Sequence, residues 1–276
     1  MPSREPERNQ RTRTTCDAKD ATMSTDIAAA AAALLEARRT RRWLRALPEG
    51  AWPESDADAY AIQDRVAEAL GAAGDPVGGW KVGAATPEAE PFRGPIQATT
   101  IFEAGRVPAE ILHLIGVEAE LGYRFVRDLP PRDDPYTHGE VLDAIATVHA
   151  VIEIIDTRFT ALGVTDPLSH RADHQNSGAL AVGPGLRDWR GIDPLAQPVR
   201  LMLNGVVRHE GIGGNSAGDN IRLLIWMANH GARSQGGLRA GQIVTTGSCS
   251  GTTFVQPGTR ARAEFPGIGE IDIRIA

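Results

Sequence analysis

The chain lacks the features that mark several classes of protein. It has 276 residues but only two cysteines, Cys16 and Cys249, which excludes a disulfide framework and favours a reducing compartment. No apolar run approaches the roughly 18 residues of a membrane span. The basic residues near the beginning are not followed by an apolar core, so we expect no secretory signal. These absences predict a cytoplasmic protein that does not bind membranes.

The chain also carries fewer positively charged than negatively charged residues. Lysine and arginine number 29 against 35 aspartates and glutamates, which gives a net charge of −6. A surface that follows nucleic-acid phosphates needs an excess of clustered cations, so we expect no nucleic-acid partner. A small anionic substrate remains compatible, because it needs only one local cationic pocket.

The first part of the chain divides into a tail and a helical segment. Residues 1–24 are polar and lack hydrophobic periodicity, so we expect a disordered tail. Residues 25–75 form a predicted N-terminal helical segment with one helix over 27–47, ended by Pro48, and a second over 56–70.

Residues 76–276 form the predicted catalytic domain, in which short β-rich stretches alternate with Gly/Pro turns. Two helices are predicted near 138–148 and 217–235. No strand–glycine loop–helix unit repeats, which excludes a doubly wound nucleotide-binding fold. The predicted strands lie in GGWKVGAAT, GVEAELGYRFV, AVIEIIDTRF, GALAVG, VRLMLNGVV, QIVTTGS and IGEIDIRI.

Three carboxylates are the most informative feature. Glu118 and Glu120 lie two residues apart in a predicted strand and therefore project from the same face. Glu153 lies inside the apolar run AVIEII, where a charged group needs a partner. Three carboxylates without nearby His or Cys suit Mg²⁺ or Mn²⁺. A solvated strand face would produce the Glu-x-Glu pattern as well.

Three further features are less specific. Lys81 in GGWKVG is either a buried acid or base, or a surface residue in a turn. The Gly/Ser loop 247–252 offers amides and hydroxyls to a carboxylate, although such turns are common. Within it, Cys249 is better read as a small filler than as a nucleophile. His174 is the histidine that best fits a pocket, and a structural role fits it equally well.

The order of these motifs resembles the fumarylacetoacetate hydrolase superfamily, and most of all its 2-keto-4-pentenoate hydratase/4-oxalocrotonate decarboxylase branch. The resemblance spans about residues 27–276. It is carried by AYAIQ, GWKVG, GVEAELGYRF, VIEIIDTRF, ADHQNSG, IRLLIWMANHGARSQGGLRAGQIVTTGS and EFPGIGEIDIRI.

The resemblance implies an α+β fold, a mixed β-roll preceded by a helical N-terminal segment. It also implies that the three glutamates bind Mg²⁺ or Mn²⁺ and that Lys81 is the active-site lysine. The implied substrate is a small 2-oxo or 2-hydroxydienoic acid. We expect a homo-oligomer, and association with a related lyase is open. The implied substrate-binding residues are Ser248, Ser250 and Gly251.

The chain departs from the family pattern at two positions. Gln97 stands where the hydratases carry an acidic residue, and Glu88, Glu90 or His174 could replace that acid. Asn176 stands where a small hydroxyl residue is usual, with a serine beside it. Gln97, His174 and Asn176 therefore join Lys81 as candidate catalytic residues.

We predict a hydratase that adds water to a 2-hydroxy-2,4-dienoate, giving a 4-hydroxy-2-oxo acid in aromatic meta-cleavage catabolism. A 4-oxalocrotonate-type decarboxylase and an acylpyruvate hydrolase are the alternatives within the superfamily. Hydrolysis ranks lower, because the loop 84–100 lacks the histidine that the hydrolases use. A different class, a catalytically silent partner of such a lyase, is disfavoured by the retained carboxylates, which repel one another without a cation.

Overall fold

The computed structural model describes residues 25–276, and the tail predicted over 1–24 lies outside the described residues. Two helices begin the described chain, α1 (Ile27–Thr40) and α2 (Asp56–Ala72). The Ser55 side chain caps α2 by accepting a hydrogen bond from a main-chain N–H of its first turn. Their buried faces form a small core of their own that includes Phe159 from later in the chain.

Helix α1 is shorter than the sequence predicts. It ends at Arg41, which has a left-handed φ of 57°, so the prediction of a helix to Leu47 is wrong. The chain then extends, and Leu44 pairs with Phe159 as an isolated bridge. This long-range pairing overrides the helical preference of the Ala/Leu/Arg-rich segment.

The remainder of the described chain contains thirteen strands and three short α-helices. The helices are α3 (His138–Asp143), α4 (Pro167–Ala172) and α5 (Asn220–Trp226), the last continued by a π-helical turn, Met227–Gly231. The strands are β1 (Val77–Gly83), β2 (Phe92–Gln97), β3 (Ile101–Glu103), β4 (Gly105–Val107), β5 (Gly116–Phe125), β6 (Ile145–Ile155), β7 (Ser177–Leu186), β8 (Pro198–Leu203), β9 (Val206–Ile212), β10 (Ile243–Thr245), β11 (Thr253–Phe254), β12 (Arg260–Phe265) and β13 (Gly269–Ile275).

These strands form two sheets around one main core. The larger sheet has the order β2-β1-β10-β5-β6-β7-β3, with β11 paired to β5. The smaller has the order β4-β13-β12-β8-β9. Parallel and antiparallel pairs are mixed in both. The predicted mixed α+β architecture with helices at its beginning is confirmed.

Three local predictions need correction. The helix predicted near 138–148 ends at Asp143, because Ile145 already begins β6 and pairs with β5. The helix predicted from 217 begins at Asn220, since the Asp219 carboxylate caps it. The strand predicted over 199–207 is a hairpin, which turns at Asn204-Gly205 with φ values of 52° and 79°. Both residues tolerate the left-handed backbone that tight hairpin turns require.

Within residues 25–276, none of the helices combines the length and the apolarity that crossing a bilayer requires.

Candidate metal centre and active site

The three carboxylates predicted to bind metal meet on neighbouring strands. In the antiparallel pair β5–β6, Glu118 lies directly opposite Glu153, and Glu120 follows two residues along on the same face. One carboxylate oxygen from each lies within 4.8 Å of the others. Glu120 and Glu153 are 0% and 1% exposed and Glu118 is half-buried, so most of this strand face is removed from solvent.

Each carboxylate has its own hydrogen-bond donor. Thr252 donates its hydroxyl hydrogen to Glu118 Oε1, and Lys81 Nζ donates to Glu153 Oε1. Glu120 Oε2 accepts from the Thr245 hydroxyl and, at 2.9 Å, from a main-chain N–H. The other oxygen of Glu120, Oε1, is buried and has no partner among the described groups. A buried polar atom without a partner is costly, so this oxygen fits a cation ligand.

The electrostatics of the cluster also favour a cation. Burial raises the pKa of Glu120 well above its usual value, and the charges of Glu153 and Glu118 raise it further. Burial followed by the charge of Glu153 likewise raises the pKa of Glu118. Three carboxylates therefore face a single ammonium group, and their all-oxygen donor set suits Mg²⁺ or Mn²⁺.

Lys81 is one of only two lysines in the chain. Burial alone would lower its pKa, but the charge of Glu153, with those of Glu118 and Glu120, outweighs burial and the pKa is raised. Lys81 is therefore an ammonium ion in this arrangement. The lowered pKa that buried lysines can acquire does not arise beside three carboxylates.

A cavity of about 300 Å³ opens beside the carboxylates. Of the predicted site residues, it brings together Lys81, the three glutamates, Asn176 and Ser248. Its other walls are partly polar and partly apolar. They are formed by Val82, Gly83, Ala84, Phe92, Ile155, Leu162, Gln175, Ser216, Gly247 and Thr252.

Two predicted substrate-binding residues, Ser250 and Gly251, do not line the cavity. The Ser250 hydroxyl accepts a hydrogen bond from the Ala119 N–H at 2.9 Å and donates to the Gly251 carbonyl. This contact fastens the loop between β10 and β11 to strand β5, at the residue between two of the carboxylates. Ser250 and Gly251 thus hold the loop, while Ser248 lines the cavity.

The structure does not bring Gln97 or the alternative acids to the carboxylates. Gln97 lines a second cavity and donates through Nε2 to the Asp75 carbonyl at 2.7 Å. Glu90 accepts a hydrogen bond from Trp226 Nε1, and Glu88 is exposed. Neither glutamate lines the cavity among the described residues.

His174 is buried beside the site but does not line the cavity. Burial lowers its pKa well below the usual value, and the charges of Arg38 and Arg158 lower it further. His174 is thus neutral, and its Nε2 has no partner among the described groups. His174 is therefore a core residue, and the two residues that follow it, Gln175 and Asn176, line the cavity.

The segment His174–Asn176 is a feature that sequence reasoning missed. These three consecutive residues have left-handed φ values of 50°, 53° and 58°, and a non-glycine residue there costs on the order of 1–3 kcal/mol. The buried Asp173 before them holds the turn by accepting from Arg158 Nε at 2.7 Å. The turn places Gln175 and Asn176 at the cavity. No glycine marks this backbone, so the sequence carried no signal for it.

Residues 75–276, which include both sheets and the carboxylate cluster, match the model of the fumarylacetoacetate (FAA) hydrolase C-terminal family. The chain belongs to this family. The resemblance inferred from the order of the motifs is therefore confirmed.

Curated relatives of this FAA hydrolase family member are hydratases. A 2-keto-4-pentenoate hydratase of Paraburkholderia xenovorans (strain LB400) is 29% identical over 222 residues, which cover 78% of this chain and 81% of the relative. A 2-keto-4-pentenoate hydratase of Burkholderia vietnamiensis is 29% identical over 255 residues, which cover 89% and 95%.

A solved structure shares the fold of this FAA hydrolase family member. It is the 4-oxalocrotonate decarboxylase of Pseudomonas putida G7, complexed with magnesium and adipate. The TM-score is 0.79 at 24% identity, over 91% of this chain and 97% of that one.

Proposed function

We propose that the protein is a divalent-metal-dependent hydro-lyase that adds water to a 2-hydroxy-2,4-dienoate and forms a 4-hydroxy-2-oxo acid. The observation that carries the proposal is the cluster of Glu118, Glu120 and Glu153, which lines one cavity together with Lys81. The names of the curated relatives support the reaction class.

Glu118, Glu120 and Glu153 would hold Mg²⁺ or Mn²⁺. When bound, the cation would polarise the 2-oxygen of a chelating 2-oxo acid and stabilise negative charge there. The magnesium in the solved structure with the same fold supports the choice of ion.

The reaction requires two proton movements in addition to the attack of water. Ketonisation of the dienol gives an enone, water adds at the remote alkene carbon, and a proton completes the 4-hydroxy-2-oxo acid. Lys81 lines the cavity, and its Nζ donates a hydrogen bond to Glu153 Oε1. An ammonium group at this position can hold and deliver a proton. Asn176 and Ser248 offer polar groups that orient the substrate.

The apolar part of the cavity wall suits the hydrocarbon end of the substrate. Phe92, Ile155 and Leu162 line the cavity together with the carboxylates. An apolar wall excludes water from the part of the cavity where no water has to react.

An ultraviolet assay tests the proposed reaction. Purified protein with 2-hydroxypenta-2,4-dienoate and Mg²⁺ should remove the dienol absorbance, and an EDTA control should remain inactive. Mass spectrometry should then detect 4-hydroxy-2-oxopentanoate. Metal-bound protein that leaves the dienol unchanged would contradict the hydratase proposal, and 4-oxalocrotonate and acylpyruvates would be the next substrates.

Hydrolysis of an acylpyruvate ranks below hydration because no histidine lines the cavity within residues 25–276. The decarboxylase alternative is supported by the shared fold with the Pseudomonas putida enzyme. If all three substrate types fail, a silent partner of a related lyase becomes the favoured function.

We further propose a homo-oligomer in solution, open to association with a related lyase. Light scattering coupled to size-exclusion chromatography should give a mass that is a multiple of that of one chain. A monomer at micromolar concentration would contradict this part of the proposal.

A further inference from the structure

A second cavity, of about 270 Å³, lies where the end of helix α1 meets the larger sheet. It shares no lining residue with the cavity beside the carboxylates. Arg38, Arg41 and Trp43 line it from the helical segment, and Gln97 lines it from the end of β2. The function proposed above leaves this cavity unused.

Two arginines at this cavity have donors to spare. Among residues 25–276, Arg38 Nε is buried without a partner, and Arg38 Nη2 makes one contact, at 3.4 Å, with Asp173. That carboxylate already accepts from Arg158 Nε at 2.7 Å and from the Thr157 hydroxyl at 3.0 Å. Burial, with the charge of Arg158, lowers the pKa of Arg38 to about 9. The Asp173 carboxylate accepts hydrogen bonds from both Arg38 and Arg158, and it leaves Arg38 Nε without an acceptor.

Arg41 is the second under-used donor. Its side chain donates one hydrogen bond, from Nη2 to the Leu112 carbonyl at 2.8 Å, although a guanidinium group carries five N–H bonds. Its guanidinium lies 5.7 Å from the centre of the Trp43 ring. Arginine in such a setting suits carboxylate ligands, which accept two parallel hydrogen bonds.

The carboxylates that line this cavity are already occupied. Asp156 accepts main-chain hydrogen bonds from His113, Leu114 and Thr157, at 3.1, 2.7 and 2.8 Å. The two oxygens of Asp75 accept from the N–H and the hydroxyl of Thr99. Arg38 Nε therefore keeps no acceptor among the described groups, and the exposed Arg41 guanidinium, which water solvates, is available to an anion that enters the cavity.

Gln97 places an acceptor oxygen, rather than a donor, at this cavity. Its side chain is nearly buried, at 4% exposure, and Nε2 is fixed by the Asp75 carbonyl. Oε1 has no partner among the described groups. A buried acceptor of this kind needs a donor, and a hydroxyl group is a donor that a small anion can carry.

We propose that this second cavity binds a small hydroxycarboxylic acid, whose carboxylate meets Arg38 and Arg41 and whose hydroxyl group donates to Gln97. The Trp43 ring supplies an apolar wall for its carbon chain. This binding needs no metal ion and does not depend on the hydratase proposal.

Calorimetric titration of the full chain with lactate, in the presence of EDTA, tests the proposal. Propionate is the matched ligand that lacks the hydroxyl group, and it should bind on the order of tenfold more weakly. Arg41→Gln and Gln97→Leu should each weaken lactate binding by a similar factor. Arg42→Gln is the control, since Arg42 is exposed and does not line the cavity.

The outcomes separate this site from the carboxylate cluster. Lactate binding that is retained in EDTA, weakened about tenfold in Arg41→Gln and unchanged in Arg42→Gln would support the proposal even if no hydratase activity is found. Arg41 is exposed, so this variant should fold, and circular dichroism verifies that. Equal affinity for lactate and propionate, or binding that disappears with EDTA, would overturn the proposal.

Discussion

Thr245 donates its hydroxyl hydrogen to one oxygen of Glu120, and the other oxygen of that carboxylate is buried without a partner in the part of the chain that the structure describes. The contact orients the carboxylate and selects which oxygen remains for a cation. Two more donors come from the same part of the chain. The Gly247 N–H donates to Glu120, and the Thr252 hydroxyl donates to Glu118. The chain from 245 to 252 therefore orients two carboxylates and also lines the cavity.

Thr245→Val should weaken Mg²⁺ or Mn²⁺ binding about 10- to 100-fold, the usual effect of losing a group that orients a metal ligand. Thr245→Ser retains the hydroxyl and should bind like the wild type. Calorimetric titration with Mn²⁺ measures both. Thr259→Val is the matched control, because the Thr259 hydroxyl donates to the Gln256 carbonyl and not to a carboxylate of the cluster. Unchanged affinity in Thr245→Val would contradict an orienting role.

Glu120→Gln should raise stability in EDTA and abolish stabilisation by Mg²⁺. The substitution removes a buried carboxyl group whose ionised form burial, Glu153 and Glu118 all disfavour, but it also removes a ligand oxygen of the required charge. Thermal unfolding with EDTA and with Mg²⁺ measures both effects. The exposed Glu110→Gln is the control. A variant that still gains stability from Mg²⁺ would argue against the proposed ligands.

Lys81→Met should abolish turnover and, in EDTA, destabilise the fold by about 3 kcal/mol, because buried carboxylates lose their cation. Mg²⁺ should recover more stability in this variant than in the wild type, since no ammonium group competes for Glu153. Lys81→Arg keeps the positive charge but exchanges no proton near neutral pH, so it should be inactive and less destabilised. Activity in either variant would exclude Lys81 as the proton carrier.

The contribution of His174 to stability should fall as the pH decreases below about 6.5, the usual histidine pKa in an unfolded chain, whereas Glu120, whose pKa is raised in the fold, contributes in the opposite direction. His174 has a folded-state pKa well below that value, so its contribution is present above pH 6.5 and is lost as the unfolded chain takes up the proton. The slope is at most about 1.4 kcal/mol per pH unit.

Urea unfolding at several pH values measures this dependence. Below pH 6.5, the unfolding free energy of His174→Asn should fall less steeply with decreasing pH than that of the wild type, because the unfolded variant takes up one proton fewer. Asparagine tolerates the left-handed backbone at this position. The exposed His138→Asn should keep the wild-type dependence. An unchanged dependence in His174→Asn would mean that His174 is charged in the fold.

Local patterns predicted part of the candidate site. Side-chain alternation placed Glu118 and Glu120 on one face, and the structure keeps them there. The role proposed for Gln97 depended on a loose match to the family pattern, and the structure places Gln97 at the second cavity instead. The left-handed turn at His174–Asn176 gave no signal, because a buried aspartate and its arginine hold it from outside the segment.

The sequence by itself determined the family, the mixed α+β class and the pairing of two carboxylates on one strand face, because all of these rest on motif order and local periodicity. Only the tertiary structure decided that Glu153 lies opposite Glu118, that Lys81 is an ammonium ion, and that Arg38 and Gln97 line a separate cavity. Charge interactions and hydrogen bonds act through space. These groups are far apart in the sequence, and only the folded arrangement of the chain brings them close together.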